Sequence, residues 1–524
     1  MKATGGAALI AALAAHDVRT VFGIPGTHNL PAFAAMADHG VRVVPTRHEQ
    51  GAGYAADGYA RITGRPSVVL TTTGPGILNA AAAAAQAYSD SVPVLFIAPG
   101  MPTTHPPAGD GHLHEVRDQY LAMASVVGHA QRVGTVEEVP VAVAQACAAV
   151  TRGRPRPAYL EIPLDLLDRA AEVTIAVAPR SLPDRAAADA VAAAGSVLAA
   201  AERPVIIVGG GASAAAQEVR AVAEALGAPV FCTANGKGIV PYGHPLLAGV
   251  GVQHPVVAET VGAADCVLAL GTELATADWW HGFPRLSGRL IRVDVDPVHR
   301  NAPADIALAG DCATVLGDLL PYLNTGPAGG ETAQQLRGRH RVESRAEGGP
   351  WLAAIESLAA ALPQSAVIAG DSAMCCYYGA LSNLPSYRPR GFLYPSGGGT
   401  LGYGLPAGIG AKLAEPDTPV VVLQGDGGSM FTIAELATAA QLRLPLPVVI
   451  VDNGGYGEIR NEMSDRGDPV HAVALDPVDF ASLAQSLGCH GRHIDQPTDL
   501  GPAVTAALAA DRPTVLHLTE TPAR

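Results

Sequence analysis

Residues 420–430 read VVVLQGDGGSM, and residues 446–457 read LPVVIVDNGGYG. Both stretches have the same layout. Each is an unbroken aliphatic, β-branched run, the composition of a strand buried on both faces, ended by a polar, glycine-rich turn. Twenty-six residues lie between Asp426 and Asn453, room for one helix-and-strand crossover. A parallel pair joined in this way carries both turns to the sheet's carboxyl edge, where such folds bind ligands. The carboxylate of Asp426 then stands beside the amide oxygen of Asn453. Hard oxygen donors with open coordination positions suit Mg2+ shared with phosphate groups. Gly427 and Gly428 let backbone N–H groups approach an anion at the start of the next helix. Together these features describe a diphosphate held through a magnesium ion.

Outward from this pair, the same alternation of strands and helices fills the chain. SAVIAGDS and PTVLHLTE complete a third block. PVIIVGGGA, APVFCTA, CVLALGT and LIRVDVD form a second. VRTVFGI, VRVVPT, SVVLTTT, VPVLFIA and AYLEIP form a first. Strands alternating with helices predict an α/β protein of three consecutive doubly wound domains with mainly parallel sheets. A proline-bearing stretch at 177–183 and a polar, poorly periodic stretch at 325–349 separate the blocks. The expected domains are 1–170, 185–325 and 350–524. First and third blocks are alike in size and kind, which makes a duplicated architecture an open expectation.

Composition narrows the function classes. At 524 residues the chain exceeds what one core supports, and 48% hydrophobic against 16% charged residues excludes disorder. Its net charge of −14 offers no footprint for nucleic acid or an anionic membrane. No apolar run approaches the ~20 residues of a membrane span, and GGAALIAALAA near the start reads as a first helix. Seven cysteines, an odd number, fit reduced thiols in a cytoplasm. No Cys-x-x-Cys or His-x-x-x-His spacing marks a zinc site.

GDG followed at this spacing by a second asparagine resembles the cofactor motif of thiamine diphosphate (ThDP) enzymes, nearest the acetolactate synthase and benzoylformate decarboxylase branch. The resemblance covers nearly the whole chain, in the order pyrimidine-binding, central and diphosphate-binding domain. It implies Mg2+ ligands at Asp426, Asn453 and the main-chain carbonyl of Gly455. Gly425, Gly427, Gly428, Ser429 and Tyr456 then flank the diphosphate. Asp452 stands where the family commonly has asparagine. RHEQGAGYAADGYAR carries Glu49, which in the family hydrogen-bonds N1′ of the aminopyrimidine across a subunit interface, favouring the imino tautomer that generates the C2 ylide. SGGGTLGYGLPAGIGAKLA implies that Gly399 accepts from the 4′-amino group and that Leu401 wedges between the cofactor rings. GIPG and TTTGPGILNA add Gly26, Thr73, Gly74 and Asn79 near the same centre.

The expected substrate is a small 2-oxo acid, decarboxylated without oxidation through an enamine. Pro99-Gly100-Met101 and Leu113-His114-Glu115 depart from the synthases, and no tryptophan follows DNGGYGEIRNEM. Thr72 stands where benzoylformate decarboxylase has a histidine, and Thr27 could replace its substrate-binding serine. GHLHEVRDQ, LGTELATADWW and DNGGYGEIRNEM resemble instead the subgroup acting on 5-guanidino-2-oxopentanoate (2-ketoarginine). A guanidinium calls for a carboxylate fork and an aromatic face. Asp278, Trp279, Glu115 and Glu458 are the candidates, Glu458 being best placed after the metal loop. His28, His112 and His114 are candidate proton donors. The alternatives are a carboligase joining a pyruvate-derived acyl unit to a second carbonyl, and a catalytically silent ThDP-binding subunit. VGGGASAAAQ lacks the full dinucleotide spacing; FAD, which some relatives hold there without redox chemistry, is the lesser expectation. The family's shared active site implies a homodimer or homotetramer.

Overall fold

A computed structural model of the chain describes all residues except 180–181, 297, 299–300, 324–328 and 521–524. Parts of the two separating stretches, 177–183 and 325–349, therefore fall outside the described residues. Within the second, residues Gly330–Gly348 form a helix along the strand Leu247–Val250. It is polar on most of its surface and buries only Ala333, His340, Ser344 and Gly348, which is why its periodicity is faint.

Three six-stranded parallel sheets follow one another. The first holds β1 (Thr20–Gly23), β2 (Arg42–Pro45), β3 (Ser67–Leu70), β4 (Val94–Gly100), β5 (His129–Arg132) and β6 (Ala158–Pro163), in the order β2-β1-β3-β4-β6-β5. The second holds β7 (Pro204–Val208), β8 (Val230–Cys232), β9 (Leu247–Val250), β10 (Cys266–Leu270), β11 (Arg289–Asp294) and β12 (Ile306–Ala309), in the order β9-β8-β7-β10-β11-β12. The third holds β13 (Val367–Gly370), β14 (Phe392–Leu393), β15 (Val420–Gly425), β16 (Pro447–Asp452), β17 (His490–Ile494) and β18 (Thr514–Thr519), in the order β14-β13-β15-β16-β18-β17. First and third sheets share one strand order. The second is wound differently, in the order of dinucleotide-binding folds.

Burial on both faces explains the continuous apolar strands. Val421, Leu423, Val449 and Val451 enter one core layer, and Val420, Val422, Val448 and Ile450 enter the other. Val68 and Val69 part in the same way between the two layers of the first sheet. β5, β9, β12, β14 and β17 were not legible as strands. They are two to five residues long, and β5 (His, Gln, Arg) and β17 (His, Arg) carry polar residues because they lie at sheet edges. An antiparallel ribbon, Lys2–Thr4 with Ala170–Glu172, closes the first block.

First and third sheets meet through two helices, Glu49–Thr63 and Gly404–Ala414. Their small residues have a steric cause: a Cβ at Gly58 would lie 2.2 Å from the Ala407 carbonyl oxygen, and one at Gly410 would lie 1.9 Å from that of Ala55. Arg61 ties the same junction, paired with Asp57 at 2.6 Å and Asp90 at 2.7 Å, while the Tyr403 hydroxyl donates to Asp57.

Candidate active site

At the carboxyl edge of the first sheet, the turn after β2 presents Glu49, 9% exposed, as the opening residue of its helix. Asn79 Nδ2 donates to Glu49 Oε2 at 3.0 Å, leaving Oε1 over Gly76. The turn itself is clamped from the third block. Buried Glu435 accepts from the backbone N–H groups of Arg47 and His48 at 2.9 and 3.0 Å. Nothing in the sequence around Glu435 advertised that role, because the contact spans nearly four hundred residues.

Histidines gather beside Glu49's sheet edge. His28 Nδ1 lies 3.0 Å from Thr73 Oγ1, and its ring is 5.1 Å from His114 and 5.9 Å from His112. Burial, then the His114 and His112 imidazoles, hold His28 below the ordinary histidine range, so its ring is neutral at pH 7. His114 sits at φ +67°, packing its carbonyl against Gly74, whose own φ is +60°. Two polar atoms here, His114 Nδ1 and Thr72 Oγ1, are buried without a partner; such groups call for a polar ligand. A Cβ at Gly26 would meet Thr72 at 2.9 Å. Thr27 is exposed next to His28. Glu115 does not join this group. Its carboxylate accepts from the backbone N–H groups of Asp110, Gly111 and His112, which holds it below the usual carboxylate range as the anchor of its own loop.

At the carboxyl edge of the third sheet, β15 and β16 are adjacent and set Asp426 beside Asn453. Asp426 accepts from Gly455 N at 2.6 Å and Asn453 N at 3.4 Å. Asn453 Oδ1 is buried and unpartnered, and the Gly455 carbonyl oxygen is 3.3 Å from where a Gly427 Cβ would stand. Carboxylate, orphaned amide oxygen and carbonyl form a hard-oxygen set that fits Mg2+. Burial, then the Asp452 carboxylate, push Asp426 up from its ordinary value, a cost that a cation would relieve. Asp452 itself finds His517, whose Nε2 lies 3.0 Å away and holds the carboxyl low. A Cβ at Gly427 would strike the Tyr456 ring at 2.9 Å. Ser429 spends its hydroxyl on the Gly425 carbonyl at 2.6 Å. Gly399, at φ +59°, and half-buried Leu401 lie on the facing turn. Leu401 Cδ2 is 3.7 Å from where a Gly428 Cβ would stand. Buried Asp371 orders that turn, accepting from Gly402 N and Tyr403 N.

A cavity of about 260 Å³ opens between the second and third blocks. Its lining includes Asp278, Glu458, Trp280, Tyr377, Tyr378 and Ser372. Ser372 connects it to the turn bearing Gly399 and Leu401, with Oγ 4.0 Å from where a Gly399 Cβ would stand. Asp278 Oδ1 accepts from Ser396 Oγ at 3.2 Å, and burial pushes the Asp278 carboxyl up to about 7. Glu458 accepts from the Tyr378 hydroxyl at 2.8 Å. Trp280 packs edge-on to Tyr377 and Tyr378, which project from a π-helical turn, Cys375–Ala380; such turns recur at functional sites. The aromatic expectation moves by one residue. Trp279 is 2% exposed in the central core, and Trp280 lines the cavity. Tyr377 and Tyr378 went unread because their stretch resembles an ordinary core helix.

The glycines of VGGGASAAAQ have a packing reason: a Cβ at Gly209 would lie 2.5 Å from the Gly271 carbonyl oxygen, and one at Gly211 would lie 3.0 Å from Gly271 Cα.

Comparison with known proteins matches residues 3–122 to the N-terminal TPP-binding domain of thiamine pyrophosphate enzymes, residues 191–319 to their central domain and residues 369–518 to their C-terminal TPP-binding domain. A protein of Pseudomonas aeruginosa named probable 2-ketoarginine decarboxylase is 41% identical, over 95% of this chain and 90% of its own length. The acetolactate synthase isozyme 2 large subunit of Escherichia coli is 32% identical, over 97% of this chain and 94% of its own. A probable acetolactate synthase large subunit of Methanocaldococcus jannaschii is 30% identical, over 99% and 92%. With motifs, sheet order and relatives in agreement across the three blocks, the chain belongs to the thiamine pyrophosphate enzyme family.

Proposed function

We propose that the chain is a ThDP- and Mg2+-dependent decarboxylase of a 2-oxo acid, with 5-guanidino-2-oxopentanoate its favoured substrate. The observation that carries this reading is the cavity beside the cofactor turn, where Asp278 and Glu458 join Trp280, Tyr377 and Tyr378. Carboxylates supply charge-assisted hydrogen bonds to a guanidinium, and aromatic rings receive its flat face. The relative named for 2-ketoarginine supports the same choice.

In this reading Asp426, Asn453 and the Gly455 carbonyl hold Mg2+, and Gly427 and Gly428 offer N–H groups to the diphosphate. Leu401 would pack against the cofactor, and the Gly399 carbonyl would accept from its amino group. Thiamine diphosphate supplies a nucleophilic carbon and an electron sink for the departing carboxylate. Asn79 fixes Glu49 Oε2, which leaves Oε1 to face the aminopyrimidine. His28, kept neutral, and His114, with a free Nδ1, are placed to receive the substrate carboxylate and to return a proton to product.

Glu49 and Asp426 lie on different sheets, and we assign them to one centre shared by two copies. Exposed Leu30, Leu78 and Leu113 flank the histidine side, and exposed Met430 and Phe431 flank the diphosphate side. Large exposed apolar side chains beside both half-sites suit burial against a second copy, as a homodimer or homotetramer. Seven buried free cysteines suit a cytoplasmic setting. Among the described residues, no helix is long and apolar enough to cross a membrane.

The test is CO2 release with Mg2+ and ThDP from 5-guanidino-2-oxopentanoate, pyruvate, benzoylformate and a branched 2-oxo acid. Preference for the guanidino acid, with an aldehyde product, is expected. A carbon–carbon-coupled product from pyruvate would replace this reading with the carboligase one, and inactivity on all four would overturn the guanidino acid as substrate.

A further inference from the structure

On the outer face of the third block, β17 and β18 run in register with His493 opposite His517. Neighbouring parallel strands point such partners to one face, and the two rings are 5.2 Å apart. Asp479, which caps the helix Phe480–Ser486, brings Oδ1 to 3.1 Å from His493 Nε2. Ligand atoms of Asp479, His493 and His517 lie within 4.8 Å of one another.

His517 separates this cluster from a surface ion pair. It is 6% exposed, its Nε2 faces Asp452 at 3.0 Å, and its Nδ1 is sealed from solvent with no hydrogen-bond partner. A neutral imidazole that donates Nε2–H to a carboxylate presents a bare lone pair at Nδ1. That is the arrangement of a metal-ligating histidine with its supporting carboxylate. The loop cluster His105–Asp110–Glu115 has a similar composition. There, however, one oxygen of Glu115 already takes three backbone N–H groups.

The geometry points to a second metal site, distinct from the Mg2+ ligands Asp426 and Asn453, in which Asp479, His493 and His517 bind a first-row transition dication, zinc by its donor set. Two imidazoles and one carboxylate favour such an ion over Mg2+ or Ca2+. Both Asp479 and His493 are exposed, so water completes the coordination. Asp452 carries the effect inward. Its Oδ1 accepts from Gly454 N at 3.0 Å, inside the loop that bears Asn453 and Gly455. An ion on His517 therefore stiffens the hydrogen bond that anchors this loop.

The probe is zinc chloride, titrated calorimetrically into the full-length protein after chelator treatment and saturation with Mg2+ and ThDP; cobalt(II) absorption then reports the ligand field. One zinc per chain is expected. His493→Ala and Asp479→Asn, both at exposed positions, weaken binding by about tenfold or more. His490→Ala, on the same strand but paired with Asp511, leaves it unchanged. Asp452→Asn weakens it through His517. No zinc uptake by the wild type, or equal uptake by wild type and His493→Ala, would overturn the assignment.

Discussion

The first and third sheets share one strand order and stack through equivalent helices, yet their carboxyl edges carry opposite chemistry. The first gathers Glu49 and three imidazoles, groups of a kind that can hold and move protons. The third gathers oxygen donors and glycines, groups suited to a cation and its phosphates. The same backbone layout thus carries two chemistries, and the difference lies in a few residues of the loops after β1, β2, β3, β4, β15 and β16. The lesson is that fold supplies position and turn chemistry supplies function.

Breaking one edge should not mimic breaking the other. Asp426→Ala removes the charged member of the proposed Mg2+ ligand set, and Mg2+-dependent ThDP affinity is expected to fall by about a hundredfold or more, read by cofactor titration. Glu49→Gln leaves ThDP bound but lowers turnover by roughly 10²–10⁴. If that variant instead lost cofactor, the division of labour between the edges would be wrong.

Arg61 tests what joins the two sheets. Arg61→Ala leaves Asp57 and Asp90 at the buried junction without their guanidinium, and a loss of about 3–5 kcal/mol is expected in denaturant unfolding. A loss within about 0.5 kcal/mol would show the junction to be packing alone. Between the second and third sheets, Asp278→Asn should lower kcat/KM for the guanidino acid by about ten- to a hundredfold, the worth of a charged hydrogen bond, and barely touch a neutral 2-oxo acid.

The smallest effect is on pH. Burial holds Asp278 near 7 without ligand, so below that pH it is protonated and a cationic side chain must displace the proton. The KM for the guanidino acid should therefore fall as pH rises through about 7. That dependence should vanish in Asp278→Asn.

What could be read in advance follows from which interactions are local. GDGGSM and DNGGYG sit directly after long apolar strands, so sequence spacing alone set Asp426 beside Asn453. Glu49's place at a strand end, opening a helix of small residues, is equally local, but its role is implied only by the family motif around it. Glu435 and Asp371, which position the two edges, act across long sequence separations and carry no local pattern. Trp279 and Trp280 are adjacent, and only packing decides which enters the core. Asp452 looked like a departure from the family motif. Its reason, His517, lies sixty-five residues downstream.

Complementation tests the central claim, that the two unlike edges form one active centre across two chains. Glu49→Gln and Asp426→Ala chains, each inactive alone, would be co-produced with different tags, and the mixed dimer purified. The account predicts recovered CO2 release, because one of the two centres then pairs an intact Glu49 with an intact Asp426. A mixed dimer as inactive as either parent would place both groups within a single chain and contradict it.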